Sequence, residues 1–379
     1  GEPITPEYIQ HIDLCLACRG CETACPSGVP YGRIVEAARA VLEAHRPRPL
    51  VSRIVRKVVF DHLLPSTPAL KLAGTAAYVY QGSGLQRLVR STGVLKISQK
   101  LANLEALMPD AEVPFFNAKI GKPFPAIGAR RYRVGLVAGC IANVAFARLN
   151  EATLRVLQRN GCEVVIPSTQ NCCGALHVHS GLSAAAQSLA RRNIDAFLAE
   201  EFDAIVTNAA GCGSTLKEYD ELLARDPAYY DRAVRFKSLM KDVTEFLASI
   251  DLNRDMGAID EIVTYQDSCH LAHGQKIKEA PRKLLKSIPG LTFREMPMAD
   301  LCCGSAGIYN VVHTDMAMQI LEHKMSYIGR TKASVIATAN PGCMLQLRTG
   351  ARLYGNNQRV VHVVQLLDEA YSRAGSLVA

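Results

Sequence analysis

The sequence lacks a hydrophobic run long enough to cross a membrane. The longest charge-free, mostly apolar stretch covers 134–147, and Gly135, Cys140 and Asn143 interrupt it. It falls short of the roughly 18 apolar residues that a spanning helix needs. No secretory signal peptide is visible either. We therefore expect a cytoplasmic protein whose contact with a membrane, if it has one, is peripheral and at the inner face of the cell membrane.

Recognisable cofactor and nucleophile motifs are missing as well. No dinucleotide fingerprint, Walker loop or nucleophile elbow stands out. The turn Gly304-Ser305-Ala306-Gly307 does not complete a G-x-G-x-x-G pattern. The chain therefore has no evident flavin or nicotinamide site of its own. Substrate chemistry that needs such a group has to take place on another subunit. No nucleic-acid partner is expected.

The length and composition of the chain indicate a globular protein with more than one domain. A chain of 379 residues is expected to hold two or three domains, and 49% hydrophobic residues are ordinary for globular cores. The net charge of +8 is modest and is taken as spread along the chain. It suits an acidic partner or an anionic membrane face, and a solvated basic surface without a role is the alternative.

Cysteine is abundant, with 13 residues. They do not form the spread-out framework of a small secreted scaffold. The adjacent pairs Cys172-Cys173 and Cys302-Cys303 would make poor internal disulfides, because neighbouring residues cannot easily reach relaxed disulfide geometry. Metal or cluster ligation in a reducing cytosol fits this distribution better.

The most specific signal lies at Cys15, Cys18, Cys21 and Cys25, with Pro26 following directly. This is the C-x2-C-x2-C-x3-C-P pattern of cubane iron–sulfur ligation. In proteins with two such runs, the fourth cysteine of each ligates the other cluster. We therefore predict that the first three cysteines hold a [4Fe–4S] cluster whose fourth ligand is not Cys25. A zinc knuckle or a chance grouping is the alternative.

The predicted secondary structure changes along the chain. Residues 1–45 read as helices around the cysteine run, including one at about 31–44. Residues 50–107 also read as helical, and the prolines and glycines of 109–130 indicate a linker. After 130, β-like runs at 132–137, 163–166 and 204–207 alternate with helical stretches at about 147–160, 181–200 and 214–225. This alternation favours a mostly parallel sheet.

An internal repeat spans the second part of the chain. Cys140, Cys172-Cys173-Gly174 and Cys212 recur as Cys269, Cys302-Cys303-Gly304 and Cys343, at offsets of 129 to 131 residues. The first cysteine of each set ends a β-like run, and the run that ends at Cys269 begins at Ile262. We predict two superposable halves related by a pseudo-two-fold axis. Each half offers four thiols from three loops, which suit a cubane cluster, a zinc ion or a less regular iron–sulfur species. Four buried structural thiols are the alternative.

Behind its ferredoxin-like cysteine run, the double Cys-Cys-Gly pattern resembles the iron–sulfur subunit of glycolate oxidase. It is also similar to iron–sulfur subunits of lactate, glycerol-3-phosphate and heterodisulfide oxidoreductases. The resemblance covers about 8–45 and 131–370. That family has two N-terminal ferredoxin motifs. This chain shows only the second, so we interpret it as a shortened piece of a longer protein. In the heterodisulfide branch each repeat ends in C-x2-C, whereas Ala209 and Asn340 stand at the first of those positions here.

The resemblance implies an α+β multidomain protein, in which a helical ferredoxin-like part precedes two α/β Cys-Cys-Gly half-domains. We place the domains at 1–45, 46–130, 131–250 and 251–379. The resemblance also implies [4Fe–4S] clusters and FAD only on a partner oxidase subunit. A second flavoprotein-like subunit and a quinone or other membrane acceptor are further implied partners. All twelve motif cysteines are candidate cofactor ligands. The metal ligands we favour are Cys15, Cys18, Cys21, Cys25, Cys269, Cys302, Cys303 and Cys343.

Three functions remain open at this point. The first is electron transfer within a flavoprotein complex that oxidises glycolate or D-lactate. The second is a catalytic thiol–disulfide reductase subunit, and the third is a zinc-stabilised scaffold. Cys162 has no counterpart in the other repeat and is interpreted as a buried strand-edge thiol. His177, His179, His270, His273 and Arg19 are interpreted either as tuning a cluster or as ordinary structural or solvated residues.

Overall fold

A computed structural model describes residues 4–375, apart from the side chains of Lys96, Gln99, Lys100 and Leu104. Within this range, none of the helices has the length and hydropathy to cross a membrane. The described chain combines helices with two β-sheets, which confirms the predicted α+β class and the mainly parallel strand arrangement. The ferredoxin-like character of the N-terminal part remains a prediction, as do the domain boundaries.

The N-terminal third is helical, as the sequence predicts. Its helices are α1 (Pro6–Leu14), α2 (Gly20–Ala24), α3 (Tyr31–His45), α4 (Leu50–Lys57), α5 (Thr67–Gly82), α6 (Leu85–Ser91) and α7 (Gln99–Ala106). The hydroxyls of Thr5 and Ser66 accept backbone N–H groups at the starts of α1 and α5. A π-helical turn, Val58–Leu63, continues α4.

The first repeat contains a five-stranded sheet in the order β1-β3-β2-β4-β5. Its strands are β1 (Pro123–Phe124), β2 (Tyr132–Val137), β3 (Cys162–Val165), β4 (Ala204–Thr207) and β5 (Met240–Asp242). All neighbours pair in parallel except β1, which runs antiparallel to β3. The helices of this repeat are α8 (Ala142–Ala145), α9 (Ala147–Arg159), α10 (Ala175–His179), α11 (Ser183–Phe197), α12 (Ala210–Leu216), α13 (Tyr219–Leu222), α14 (Tyr230–Leu239) and α15 (Val243–Ser249).

The second repeat contains a parallel four-stranded sheet in the order β7-β6-β8-β9. Its strands are β6 (Ile262–Tyr265), β7 (Thr292–Arg294), β8 (Val335–Thr338) and β9 (Arg359–His362). Its helices are α16 (Glu279–Lys286), α17 (Tyr309–Val312), α18 (Thr314–Thr331), α19 (Pro341–Leu353) and α20 (Val363–Arg373), with a π-helical turn at His270–Gly274.

The two sheets share one topology, which confirms the predicted duplication. Strands β3-β2-β4-β5 correspond in order and direction to β7-β6-β8-β9. The packing between the repeats is reciprocal, because α20 lies on α9 while α15 lies on α16. Exchanging the repeats exchanges these two contacts, as a pseudo-two-fold axis requires. Leu157, Leu247, Leu285 and Leu367 come from these four helices and belong to one buried core that both repeats share.

Three details differ from the sequence-based expectations. The predicted linker supplies β1, because Pro123-Phe124 pairs with the outer side of β3, where a proline needs no ladder donor. The β-like run predicted to extend to Cys269 ends at Tyr265. The predicted helix at about 214–225 is divided into α12 and α13, because the chain leaves helical geometry at Glu218.

The last strand of each repeat runs directly into a capped helix. Asp242 caps α15 and His362 caps α20, each with a reciprocal capping box. His362 is fully buried, and burial lowers its pKa from 6.5 to about 4. The unfolded chain therefore binds a proton at a higher pH than the folded protein does. Stability from this group is complete above about pH 6.5 and is lost as the pH falls toward 4.

We predict that His362→Asn reduces the acid sensitivity of the fold while it keeps a side chain that can cap α20. Between pH 7.5 and 5, the wild type should lose about 2 kcal/mol more of its unfolding free energy than the variant does. Guanidinium unfolding at both pH values measures this difference. Equal losses in the two proteins would show that His362 does not titrate on unfolding.

Candidate iron–sulfur sites

The first repeat gathers its four motif thiols in a row. Cys140 follows β2, Cys172 and Cys173 precede α10, and Cys212 lies in α12. Side-chain hydrogen bonds link Cys140 to Cys172, Cys172 to Cys173, and Cys173 to Cys212. The hydrogen bond to Cys172, together with burial, raises the pKa of Cys140.

The second repeat reproduces this arrangement with Cys269, Cys302, Cys303 and Cys343. Cys269 follows β6, the pair precedes α17, and Cys343 lies in the first turn of α19. The thiols are again linked from Cys269 through the pair to Cys343. Hydrogen bonds from Cys269 and Cys303 lower the pKa of Cys302, which favours a thiolate at the centre of this group.

The glycine of each Cys-Cys-Gly motif has a backbone role. Gly174 has φ +81° and Gly304 has φ +90°, conformations that residues with a Cβ rarely adopt. A Cβ at Gly304 would also lie 2.5 Å from the Ala317 carbonyl oxygen in α18. The motif glycine therefore lets the cysteine loop turn tightly against the following helix.

The donor set in each repeat fits an iron–sulfur cluster by its chemistry. Every cysteine in the described range is a free thiol, and both Cys-Cys pairs are buried or nearly so. Sulfur donors from three loops are the ligands that such clusters use. No group of three or more His, Cys, Asp or Glu side chains within residues 4–375 is arranged around a single metal ion.

The N-terminal cysteine run forms a tight loop between α1 and α2. Ala17 has φ +51° and Arg19 has φ +63°, and these two left-handed residues fold the loop back on itself. Charges on Cys15 and Cys21 both act on the thiol of Cys18 and help to raise its pKa, after burial as the largest cause. The first three cysteines of the run are therefore neighbours.

Cys25 stands apart from that group. Its side chain is partly exposed, and backbone N–H groups of Val29, Ser27 and Gly28 lower its pKa. No other cysteine acts on it. This placement is consistent with the prediction that Cys25 is not the fourth ligand of the cluster at Cys15, Cys18 and Cys21.

The N-terminal loop lies directly against the thiols of the second repeat. The thiols on the two sides of this contact interact electrostatically. The charge of Cys302 helps to raise the pKa of Cys18, and the charge of Cys18 helps to raise the pKa of Cys269. Tyr309 lies within reach of both Cys15 and Cys302, whose charges add to the effect of burial on its pKa. The sequence did not predict this contact, because it joins segments about 250 residues apart.

Two histidines of the second repeat hold the loop in place. His270 Nε2 lies 3.0 Å from the Ala17 carbonyl oxygen. His273 Nδ1 lies 2.8 Å from Thr23 Oγ1, and its Nε2 lies 3.1 Å from the Asp300 carbonyl oxygen. Burial lowers the pKa of His270 to about 4, so this imidazole is neutral near pH 7. These histidines therefore connect the N-terminal cysteine loop to the second repeat.

Two histidines of the first repeat have a comparable structural role. His177 Nε2 lies 2.8 Å from the Phe60 carbonyl oxygen, which attaches the turn after α4 to this repeat. His179 Nδ1 lies 3.2 Å from Glu36 Oε1 in α3. Each ring has one contact of this kind with the N-terminal part of the chain, as the structural interpretation expects, whereas Nδ1 of His177 is buried without a hydrogen-bond partner. Cys162 is buried at the start of β3, also as expected, and burial raises its pKa to about 12.

Arg19 fixes the N-terminal loop to the first repeat. Its side chain is 13% exposed and pairs with Glu22 at 3.1 Å and Glu218 at 2.5 Å. It also donates to Ser214 Oγ at 3.4 Å. The interpretation of Arg19 as a solvated side chain is therefore wrong, because both carboxylates lie within ion-pairing distance and the side chain is nearly buried.

The repeats differ in the polar groups around their thiols. Asn340 Nδ2 donates to Cys343 Sγ at 3.4 Å, whereas the equivalent residue in the first repeat, Ala209, has no donor. Lys324 is 2% exposed, and its ammonium group donates to the carbonyl oxygens of Met298 and Ala299. Burial lowers the pKa of Lys324, and the negative charges of Cys303, Asp267, Cys302 and Cys343 oppose this effect. Its counterpart 131 positions earlier is the neutral Asn193.

Sequence reasoning did not identify Lys324 or the hydrogen bond of Asn340. Applying the 131-residue offset to every position of the two repeats would have found both differences. A buried cation and a donor to sulfur each stabilise negative charge, and both belong to the second repeat.

Comparisons with known proteins agree with this architecture. The Cysteine-rich domain (CCG) family matches residues 134–217 and 263–348, one match in each repeat. The family described as "Glycolate oxidase iron-sulfur subunit, linker region" matches residues 51–108. The chain is therefore a protein with two cysteine-rich domains behind a helical linker.

Curated relatives identify the family within that class. The probable glycolate oxidase iron–sulfur subunit of Bacillus subtilis is 44% identical over 366 residues, 95% of this chain and 82% of the relative. The glycolate oxidase iron–sulfur subunit of Escherichia coli is 31% identical over 98% of this chain and 85% of the relative. Lactate utilization protein A of Oceanobacillus iheyensis is 30% identical over 62% of this chain and 96% of the relative.

This chain belongs to the family of glycolate oxidase iron–sulfur subunits. The resemblance inferred from the cysteine motifs is thereby confirmed. So is the interpretation of the chain as an iron–sulfur electron-transfer subunit of a hydroxy-acid oxidoreductase, which carries clusters and works with a partner oxidase subunit.

We predict that Asn340→Ala lowers the reduction potential of a cluster in the second repeat by tens of millivolts. The variant loses a hydrogen bond to a ligand sulfur, and such bonds stabilise the reduced, more negative state. Redox titration followed by EPR measures the change. The matched control is Ala209→Asn in the first repeat, which should leave that potential unchanged. Equal potentials for Asn340→Ala and the wild type would contradict the assignment.

Proposed function

We propose that this chain carries electrons from the FAD of a partner oxidase subunit through two [4Fe–4S] clusters toward a quinone acceptor. Glycolate or D-lactate would be oxidised on the partner, and the names of the relatives contain glycolate and lactate. A second flavoprotein-like subunit is a further proposed partner. The proposed location is the cytoplasm, at the inner face of the cell membrane.

The electron balance defines what this chain has to do. Oxidation of a 2-hydroxy acid to a 2-oxo acid releases two electrons and two protons, and a quinone that takes up both becomes a quinol. Iron–sulfur clusters supply sites that accept and release one electron at a time. The residues of this chain need to hold those sites close together and shield them from water.

The observation that carries this proposal is the contact between the N-terminal cysteine loop and the second repeat. Cys18 lies close enough to Cys302 and Cys269 for their charges to interact. Clusters on these two groups of thiols would be immediate neighbours, as an electron relay requires. The loop is fixed by Arg19 on one side and by His270 and His273 on the other.

We assign the first cluster to Cys15, Cys18 and Cys21, with a fourth ligand from outside the run. Cys25 is left to ligate elsewhere, in keeping with the ferredoxin-like pattern of this part of the chain. We assign the second cluster to Cys269, Cys302, Cys303 and Cys343. The buried ammonium group of Lys324 and the amide of Asn340 support this choice, because a cluster with four thiolates is anionic.

The first repeat is the alternative position. Cys140, Cys172, Cys173 and Cys212 could hold a further cluster, and they remain candidate cofactor ligands. The neutral side chains of Ala209 and Asn193 make this repeat the weaker host for an anionic group. The domain division at 45, 130 and 250 is part of the same proposal.

Replacing Cys303 by Ser tests the assignment to the second repeat. We predict that anaerobically purified Cys303→Ser protein loses one cluster's share of iron and sulfide and the matching EPR signal. Reduction of the acceptor should stop, whereas the substrate should still reduce the flavin of the partner. Iron and sulfide analysis, EPR and stopped-flow absorbance measure the three quantities.

Cys162→Ser is the matched control, because Cys162 is a buried cysteine outside the motifs. It should keep its iron content and acceptor reduction. Cys173→Ser, at the position equivalent to Cys303, reports separately on the first repeat. Full iron content and acceptor reduction in Cys303→Ser would refute the second-repeat cluster.

A further inference from the structure

Helix α4 exposes its apolar side chains and turns a polar side inward. Leu50, Val51, Ile54 and Val55 are each more than half exposed, as is Val58 just beyond the helix. Their spacing of i, i+1, i+4, i+5 and i+8 places them on one stripe. A helix of a water-soluble domain ordinarily directs such a stripe toward the core.

The inward side of α4 is held by Arg56. Its guanidinium group lies 3.1 Å from Glu43, donates to the Ser180 carbonyl oxygen and stacks over the Phe60 ring. The orientation of the helix is therefore determined by specific contacts, and the outward apolar stripe is a consequence of them. Leu72, Val79 and Leu88 in α5 and α6 are also more than half exposed.

Positive charge is concentrated in the same part of the chain. Residues 46–104 contain ten Lys and Arg residues and one acidic residue, Asp61, which gives a net charge of +9. The other 320 residues together have a net charge of −1. The expectation that the excess charge is spread along the chain is therefore wrong. Arg53 and Lys57 are exposed and form no ion pair with any described residue.

A cavity of about 210 Å³ lies beside the stripe. Four cations line it, namely Arg48, Arg53, Arg56 and Lys57, together with Glu43 and Asp61. Because Glu43 already pairs with Arg48 and Arg56, the cavity keeps unpaired positive charge next to exposed aliphatic side chains. An anionic group attached to an apolar chain matches both features.

We propose that the exposed side of α4 is a docking surface for a bilayer that contains anionic lipids. The aliphatic stripe enters the boundary between headgroups and acyl chains, while Arg53 and Lys57 bind lipid phosphates. A protein partner fits less well, because the stripe has no aromatic side chain and because protein interfaces, although they favour arginine, exclude lysine from their centres. This inference rests on the peripheral location proposed above and identifies the surface responsible.

Vesicle co-sedimentation of the cluster-containing protein tests the surface. Binding to phosphatidylcholine vesicles with about 30% phosphatidylglycerol should be strong at low salt and should weaken as salt rises. Binding to pure phosphatidylcholine should be weak. Arg53→Gln/Lys57→Gln should weaken binding about thirtyfold, at about 1 kcal/mol for each cation. Val51→Ser/Ile54→Ser should weaken it at least about tenfold.

Matched controls remove the same residue types from other exposed positions. Arg192→Gln/Arg225→Gln and Val312→Ser/Leu353→Ser should bind as the wild type does. Iron content and the thermal unfolding midpoint verify that every variant is folded and loaded. Iron content is also a readout of the cluster assignment and is measured without vesicles. A protein with full iron content that does not bind vesicles would therefore count against the docking surface alone.

Three results would overturn the docking surface. They are no binding to anionic vesicles, equal binding to neutral and anionic vesicles, and wild-type binding by both α4 variants. A fourth outcome would identify a different occupant. If the wild type does not bind vesicles and the α4 variants lose association with the flavoprotein subunit, the surface is a protein interface and the lipid proposal is wrong.

Discussion

The placement of the N-terminal cysteine loop depends on one nearly buried side chain, Arg19. Its guanidinium group bridges Glu22 within the loop to Glu218 and Ser214 of the first repeat. From the opposite side, His270 and His273 of the second repeat contact the loop. Breaking a half-buried ion pair leaves the other charge without compensation, so this arrangement favours one position of the loop over all others. The loop thereby connects both repeats with the helical part of the chain.

The duplication supplies two similar groups of thiols, and small differences give them different electrostatic surroundings. Lys324 and Asn340 place a buried cation and a sulfur-directed donor in the second repeat, where the first repeat has Asn193 and Ala209. The loop also lies against the second repeat's thiols. The symmetric fold thus provides the scaffold, while a few substitutions and one asymmetric contact select the site that is best suited to an anionic cluster.

Local pattern predicted much of this fold. Strands β2 and β4 lie at the short β-like runs that the sequence shows, and α3 follows its apolar spacing. The offsets between equivalent cysteines predicted the duplication. The remaining features depend on contacts across long sequence separations. Nothing near Arg19 indicates Glu218, and nothing near Ala17 indicates His270. The sequence predicts a linker where β1 lies, because the segment contains Pro123. A proline is compatible with an edge strand, but that position exists only when β3 is in place to pair with β1.

The central claim is that two clusters lie next to each other, one on Cys15, Cys18 and Cys21 and one on the second repeat. EPR of the fully reduced protein tests it most directly, because neighbouring paramagnetic clusters split and broaden each other's signals. The account predicts such an interaction in the wild type and its loss in Cys303→Ser, where the N-terminal cluster remains as an isolated signal. Two clusters with independent, unbroadened signals in the wild type would contradict the account.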